Sequence, residues 1–189
     1  VWKNTELVLD HENGPGSTPV LHNGRILLCC DGRDVQYLAA LDAASGKLLW
    51  KSVRSQVINK KGDFKKAYGT PVIIRAHGRD VILTTAAEHL YAHDIETGKE
   101  LWYVKYPGFS NVPLPAYRSS EDGGTGLIYV CTGFAKPELW AVKPGAPNES
   151  GDLTATHVVW RYKTQASEQS SPLLLGERHP QHPRHEGDV

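Results

Sequence analysis

The sequence predicts an all-β repeat fold, and three observations carry that prediction. One phrase is written twice: Ala40-Leu41-Asp42-Ala43-Ala44-Ser45-Gly46-Lys47-Leu48-Leu49-Trp50 returns 52 residues later as Ala92-His93-Asp94-Ile95-Glu96-Thr97-Gly98-Lys99-Glu100-Leu101-Trp102. Self-similarity at such a period marks a fold in which each unit stacks on a neighbour to bury its apolar face. The chain around the two copies reads as short apolar runs separated by turn residues such as Asn23-Gly24, Asp31-Gly32 and His77-Gly78. No apolar stripe of helical period and length is present, so almost no helix is expected.

In the first unit, residues 18–21 form one strand and 25–30 a second, whose unbroken apolar run implies burial on both faces. Residues 36–41 form a third strand, 42–46 a turn and 48–53 a fourth strand. The second unit repeats this order at 70–74, 81–85, 89–93 and 100–105. The third is degraded. It opens at 112–115, places its buried strand at 127–132 and its third strand at 138–143, with Lys143 where the Asp should be. Its turn is swollen over 144–152, and 157–161 closes it with the expected Trp160. Another unit starts at 171–175. Four short antiparallel strands per unit of about 50 residues is the layout of a β-propeller blade. The expected architecture is a β-propeller of four-stranded antiparallel blades: about three blades, at 17–53, 69–105 and 112–162, plus the start of another at 170–175, in an incomplete ring. Residues 176–189 read as a disordered tail.

The two ends are expected to be cuts through a larger ring. Val1-Trp2 resembles the last strand of a preceding blade, and residues 176–185 hold no apolar residue where a second strand is due. A partial chain is the expectation; the alternative is a product that self-associates through its open edges.

The repeated phrase explains itself structurally. Asp accepts N–H bonds within its own turn, Gly supplies the positive φ that a tight turn needs, and Trp offers a wide apolar face with one N–H donor. Ala40, Asp42, Gly46, Trp50, Ala92, Asp94, Gly98, Trp102 and Trp160 are therefore read as docking residues, the Trp stacking on one neighbour and bonding the backbone of another.

The phrase resembles the tryptophan-docking motif of the pyrroloquinoline-quinone (PQQ) repeat, over roughly residues 2–175. That family holds quinoprotein alcohol dehydrogenases and BamB-like propellers that carry no cofactor. The resemblance implies the fold, since function lives in sites grafted on folds. It implies two functions. The first is a non-catalytic scaffold of the bacterial cell envelope that binds protein or carbohydrate through exposed edges or loops, with no cofactor expected. The alternative is a piece of a PQQ- and calcium-dependent alcohol or sugar dehydrogenase. Such enzymes resemble one another in a calcium held by Glu, Asn and Asp oxygens, a catalytic Asp, an Arg near the quinone and a Trp on the cofactor plane. No segment here matches that set residue by residue, so no catalytic, cofactor-binding or metal residue is assigned.

Lys and Arg number 21, and so do Asp and Glu. That balance argues for neither nucleic acid nor an acidic membrane as partner, and no nucleic acid is expected. No apolar run reaches membrane-spanning length, and no signal peptide is visible. Cys29-Cys30 and Cys131 read as buried thiols acting as small apolar residues; the resemblance offers a vicinal disulfide as the alternative. Arg54, Lys60, Lys61, Lys65 and Lys66 form a basic loop that could receive an anionic group or an acidic peptide. Tyr103, Tyr106, Phe109 and Tyr117 could line a groove or pack between blades. His179, His182 and His185 carry imidazoles suited to transition metals, in a Pro-rich tail that sets no geometry.

Overall fold

The computed structural model describes residues 1–164 and 166–175. A first sheet is built from β1 (Val20–His22), β2 (Arg25–Asp31), β3 (Gln36–Asp42) and β4 (Leu48–Val53), each antiparallel to the one before it. The second repeats it with β5 (Val72–Ala76), β6 (Arg79–Ala86), β7 (His89–Asp94) and β8 (Glu100–Lys105). The third unit supplies β9 (Ala116–Tyr117), β10 (Ile128–Cys131), β11 (Leu139–Val142), β12 (Gly151–Asp152) and β13 (Val158–Tyr162). Helix among the described residues amounts to a 3₁₀ turn at Gly62–Lys65 and one turn, α1, at Thr154–His157.

Two hairpins are fixed by their sequences. Asn23-Gly24 and His77-Gly78 both take positive φ at both positions, 45° and 74° in the first and 50° and 74° in the second. This is the turn whose twist matches the flanking strands.

Three expectations need correction. The third sheet does not open at 112–115; its first strand begins after Pro115, because Pro113 and Pro115 have no N–H for a ladder. Residues 171–175 form no strand; Ser171 instead accepts the Leu114 N–H on its hydroxyl at 2.9 Å. The second sheet has five strands rather than four. The swollen turn of the third unit contributes β12, which runs parallel along β8 and gives the order β12-β8-β7-β6-β5. The third sheet keeps the order β13-β11-β10-β9.

The sheets stack in series. Leu27, Cys29, Leu38 and Ala40 of the first face Ile82 of the second. On the other side of the second sheet, Leu83, Leu90, Ala92, Trp102 and Val104 pack with Ile128, Val130, Trp140 and Val142 of the third in the largest core. The outer face of the first sheet is covered too: Cys30, Tyr37 and Ala39 lie under Leu7 and Leu9. Strand side chains alternate between faces, so the unbroken run of β2 is buried on both sides. Cys29 and Cys30 thereby enter different cores, as free buried thiols. Equivalent residues also touch between neighbouring sheets: the Thr18 N–H donates to Thr70 Oγ1 at 2.9 Å.

Candidate interaction site

The docking turns have one geometry written twice. The Asp42 N–H donates to Lys47 O at 2.8 Å, and Gly46 N–H returns to Asp42 O at 2.8 Å. Asp42 Oδ1 accepts Ser45 N–H at 2.7 Å and Ser45 Oγ–H at 2.6 Å. In the second copy Asp94 accepts Thr97 N–H at 2.8 Å and Thr97 Oγ1–H at 2.7 Å, and Asp94 N–H donates to Lys99 O at 2.8 Å. The bonds from Ser45 hold the Asp42 carboxyl below its ordinary range. Burial works to raise Asp94, and the bonds from Thr97 overcome it. In the third unit the Lys143 N–H makes the same closing bond, now to His157 O at 2.9 Å across the insertion.

Each turn glycine receives the tryptophan of the unit before it. A Cβ on Gly46 would lie 2.3 Å from the Trp2 ring, and one on Gly98 2.3 Å from the Trp50 ring. Both glycines have φ above 70°, so only glycine meets both demands. Trp102 continues the series on Gly145, inside the swollen turn, where a Cβ would lie 2.5 Å from its Cδ1. Trp2 Nε1–H also donates to Ala43 O at 3.0 Å. Within each sheet the tryptophan stands beside the motif alanine: Ala40 pairs with Trp50, Ala92 with Trp102 and Ala141 with Trp160, and the register shifts just after each alanine. Trp160 packs near Tyr129, ring centroids 5.9 Å apart.

A buried charge pair lies between the first and second sheets, and the sequence reading missed it. Arg54 is not a loop cation. Its Nε–H and Nη2–H donate to Asp31 Oδ1 and Oδ2 at 3.0 and 2.9 Å, and Nη1–H donates to Thr84 Oγ1 at 2.6 Å. Both charged side chains are 1% exposed. Burial disfavours the guanidinium charge, but the Asp31 carboxylate holds it protonated. Tyr106, 52 residues on, reaches back in the same way, its hydroxyl donating to Ala86 O at 2.8 Å. The available signal was positional: both residues follow the last strand of a unit and reach the end of its second strand. Around them burial pushes the Cys29 thiol up to about 12, His89 down to about 4 and His93 well below its ordinary range.

The expected basic loop is thinner than its sequence. Lys66 is buried and paired with Asp63 at 3.3 Å and Glu12 at 3.6 Å. Lys60 and Lys61 are exposed, and Lys65 is half-buried. Tyr103 and Tyr106 are buried and do not line the grooves beside Phe109 and Tyr117. Phe109 packs edge-on between Phe64 and Phe134, centroids 4.5 and 5.6 Å apart. It helps to line a groove of about 310 Å³ with Tyr68, Val112, Phe134 and Lys66. Tyr117 lines a separate cleft of about 500 Å³ with Arg75, His77, Lys143, Glu149 and His157. His179, His182 and His185 lie outside the described residues.

The outer edges of the first two sheets differ. On β8, Gly151 lies beside Trp102 and Asp152 beside Tyr103. Leu153 N–H donates to Tyr103 O at 2.9 Å, and Lys105 N–H to Thr154 Oγ1 at 2.8 Å. Lys105 Nζ meets Asp152 Oδ2 at 2.8 Å. Burial opposes the Asp152 charge, yet Lys105 and Thr154 hold its carboxyl at about 2. The equivalent strand β4 ends its sheet with nothing paired to its outer side among the described residues. Leu49 is 48% and Val53 68% exposed there, and Lys51 is exposed beside them.

No described helix is long and apolar enough to cross a membrane. Residues 1–178 match the family model for the outer membrane protein assembly factor BamB, while no curated protein matches the sequence. Among solved structures, BamB from Moraxella catarrhalis aligns at 13% identity with a TM-score of 0.54, over 79% of this chain and 39% of that one. A quinohemoprotein alcohol dehydrogenase from Comamonas testosteroni gives 18% identity and a TM-score of 0.49, over 82% and 22% of the two chains. Another from Pseudomonas putida gives 18% and 0.47, over 82% and 21%. The chain therefore spans well under half the length of these proteins. The likeness to the Moraxella protein shows the fold, in which the three sheets are successive blades of an incomplete β-propeller. With the family model matched along nearly its whole length, the chain belongs to the BamB family of PQQ-repeat β-propellers.

Proposed function

We propose that this chain is a non-catalytic interaction scaffold of the bacterial cell envelope, with protein as its main partner class and carbohydrate as the second. One observation carries the reading. The outer strand β4 presents Leu49, Lys51 and Val53 on an edge with no paired strand among the described residues, whereas β12 from the third blade covers the equivalent edge β8 of the second. An unpaired edge is a template for another chain. The description of the matched family, an assembly factor for outer membrane proteins, supports both the location and the partner class.

The acids nearest the blade interfaces also favour a structural part. Asp31 is held by Arg54, and Asp42 and Asp94 by their own turns. Calcium needs several oxygens converging on one point, and these three carboxylates are committed elsewhere. Cys29 and Cys30 enter opposite cores, which does not suit a vicinal disulfide.

The test is a titration with PQQ and calcium followed by tryptophan fluorescence. Unchanged emission is expected. Saturable quenching at micromolar cofactor would overturn the scaffold reading and favour the dehydrogenase.

A further inference from the structure

The edge of β8 is closed by a segment of the same chain, and among the described residues the equivalent edge of β4 is open. The 52-residue offset of the repeat maps Tyr103 onto Lys51 and Lys105 onto Val53. On β8 the Tyr103 carbonyl accepts Leu153 N–H, and the Lys105 N–H finds the Thr154 hydroxyl. On β4 the Arg54 N–H points inward to Gln36 O, as the Tyr106 N–H points to Glu88 O. The alternation of a strand then turns the Val53 N–H and the Lys51 carbonyl outward. Lys51 and Val53 share one face of that strand, beyond the bulge at Leu49. They present a cationic and an apolar side chain in turn, and Lys51 Nζ rests 3.8 Å from the centre of the Tyr37 ring.

Resting on the scaffold reading, we propose that β4 is the docking edge, and that its occupant is an extended segment of another protein that adds a parallel strand. The segment has the chemistry of residues 151–154, Gly-acidic-apolar-hydroxyl. Its acidic residue stands opposite Lys51 in register, as Asp152 stands opposite Tyr103; on β8 the carboxylate reaches Lys105, and on β4 the cation in reach is Lys51. Its hydroxyl, two residues on, accepts the Val53 N–H. Its backbone donates to the Lys51 carbonyl. Main-chain bonds supply the affinity, and the acid facing Lys51 sets register and direction. The glycine supplies the left-handed backbone that Gly151 adopts beside Trp102, with φ 75°.

The probe is a synthetic peptide of residues 149–156, Glu-Ser-Gly-Asp-Leu-Thr-Ala-Thr, added to the full chain while amide exchange is followed residue by residue. Saturable binding is expected, with exchange at Val53 slowed about tenfold or more and exchange at Lys105 unchanged. Lys51→Glu should abolish the effect, and the peptide carrying Asp152→Lys should restore it on that variant. A peptide of the same composition in scrambled order should not bind. Binding that is indifferent to the Lys51→Glu change, or no protection at Val53, overturns the proposal. Sedimentation of the chain alone is expected to show a monomer. A dimer dispersed by Lys51→Glu would hand the edge to a second copy and overturn the claim of a separate partner. A failed peptide titration alongside silent PQQ–calcium emission would sink this edge while leaving the scaffold reading intact.

Discussion

Arg54→Met is expected to destabilise the chain by about 3–5 kcal/mol, the loss typical when one partner of a buried ion pair is removed. The Asp31 carboxylate would remain at 1% exposure with neither of its guanidinium bonds. Thr84 Oγ1 would lose a donor as well. The pair itself need not be stabilising overall, because desolvating two charges offsets most of their attraction. The double variant Asp31→Leu, Arg54→Met should therefore recover most of the loss. Urea midpoints of the wild type, the two single variants and the double variant give the coupling directly. A single-variant loss below about 1 kcal/mol, within the range of exposed pairs, would show that water reaches the pair.

Trp102→Ala is expected to cost about 3–5 kcal/mol, as for other large-to-small changes at buried aromatic positions. Trp102 is 1% exposed, belongs to the core between the second and third blades, and lies on Gly145. The same change should cost less at Trp50, which is half-buried, and least at Trp2, which is 37% exposed. The order follows the burial of the three residues, each of which lies on a glycine of the next unit. Thermal melts of the three variants check it, and equal shifts would mean that the tryptophans do not act through packing between blades.

Most of the fold could be read before the structure. The A-x-D-x-x-[ST]-G-K-x-x-W phrase encodes a closed local object, with a turn acid, a left-handed glycine and a tryptophan at fixed spacing, so local physics suffices to read it. The hairpins at Asn23-Gly24 and His77-Gly78 are legible for the same reason. What the sequence hid was settled by contacts between distant segments. Asp31 and Arg54 look like a turn residue and a loop cation until β2 and the end of β4 are brought together. Lys66 looks free until Asp63 and Glu12 converge on it. The swollen turn over 144–152 gave no sign that it would supply a strand, since Gly151-Asp152 has little strand propensity of its own. It pairs because β8 presents an edge within reach. The candidate surface was legible only as a class, an exposed edge or loop; which edge is open depends on where that insertion lands.

Among the described residues the β4 edge is open and the β8 edge closed, and amide hydrogen exchange on the unliganded chain tests that difference most directly. The Lys105 amide, bonded to Thr154 Oγ1, is expected to exchange about tenfold or more slowly than the equivalent Val53 amide, as a bonded edge should against an unbonded one. Equal protection at the two positions would mean that β4 is already covered, and would contradict the reading of this chain as a scaffold with a free edge.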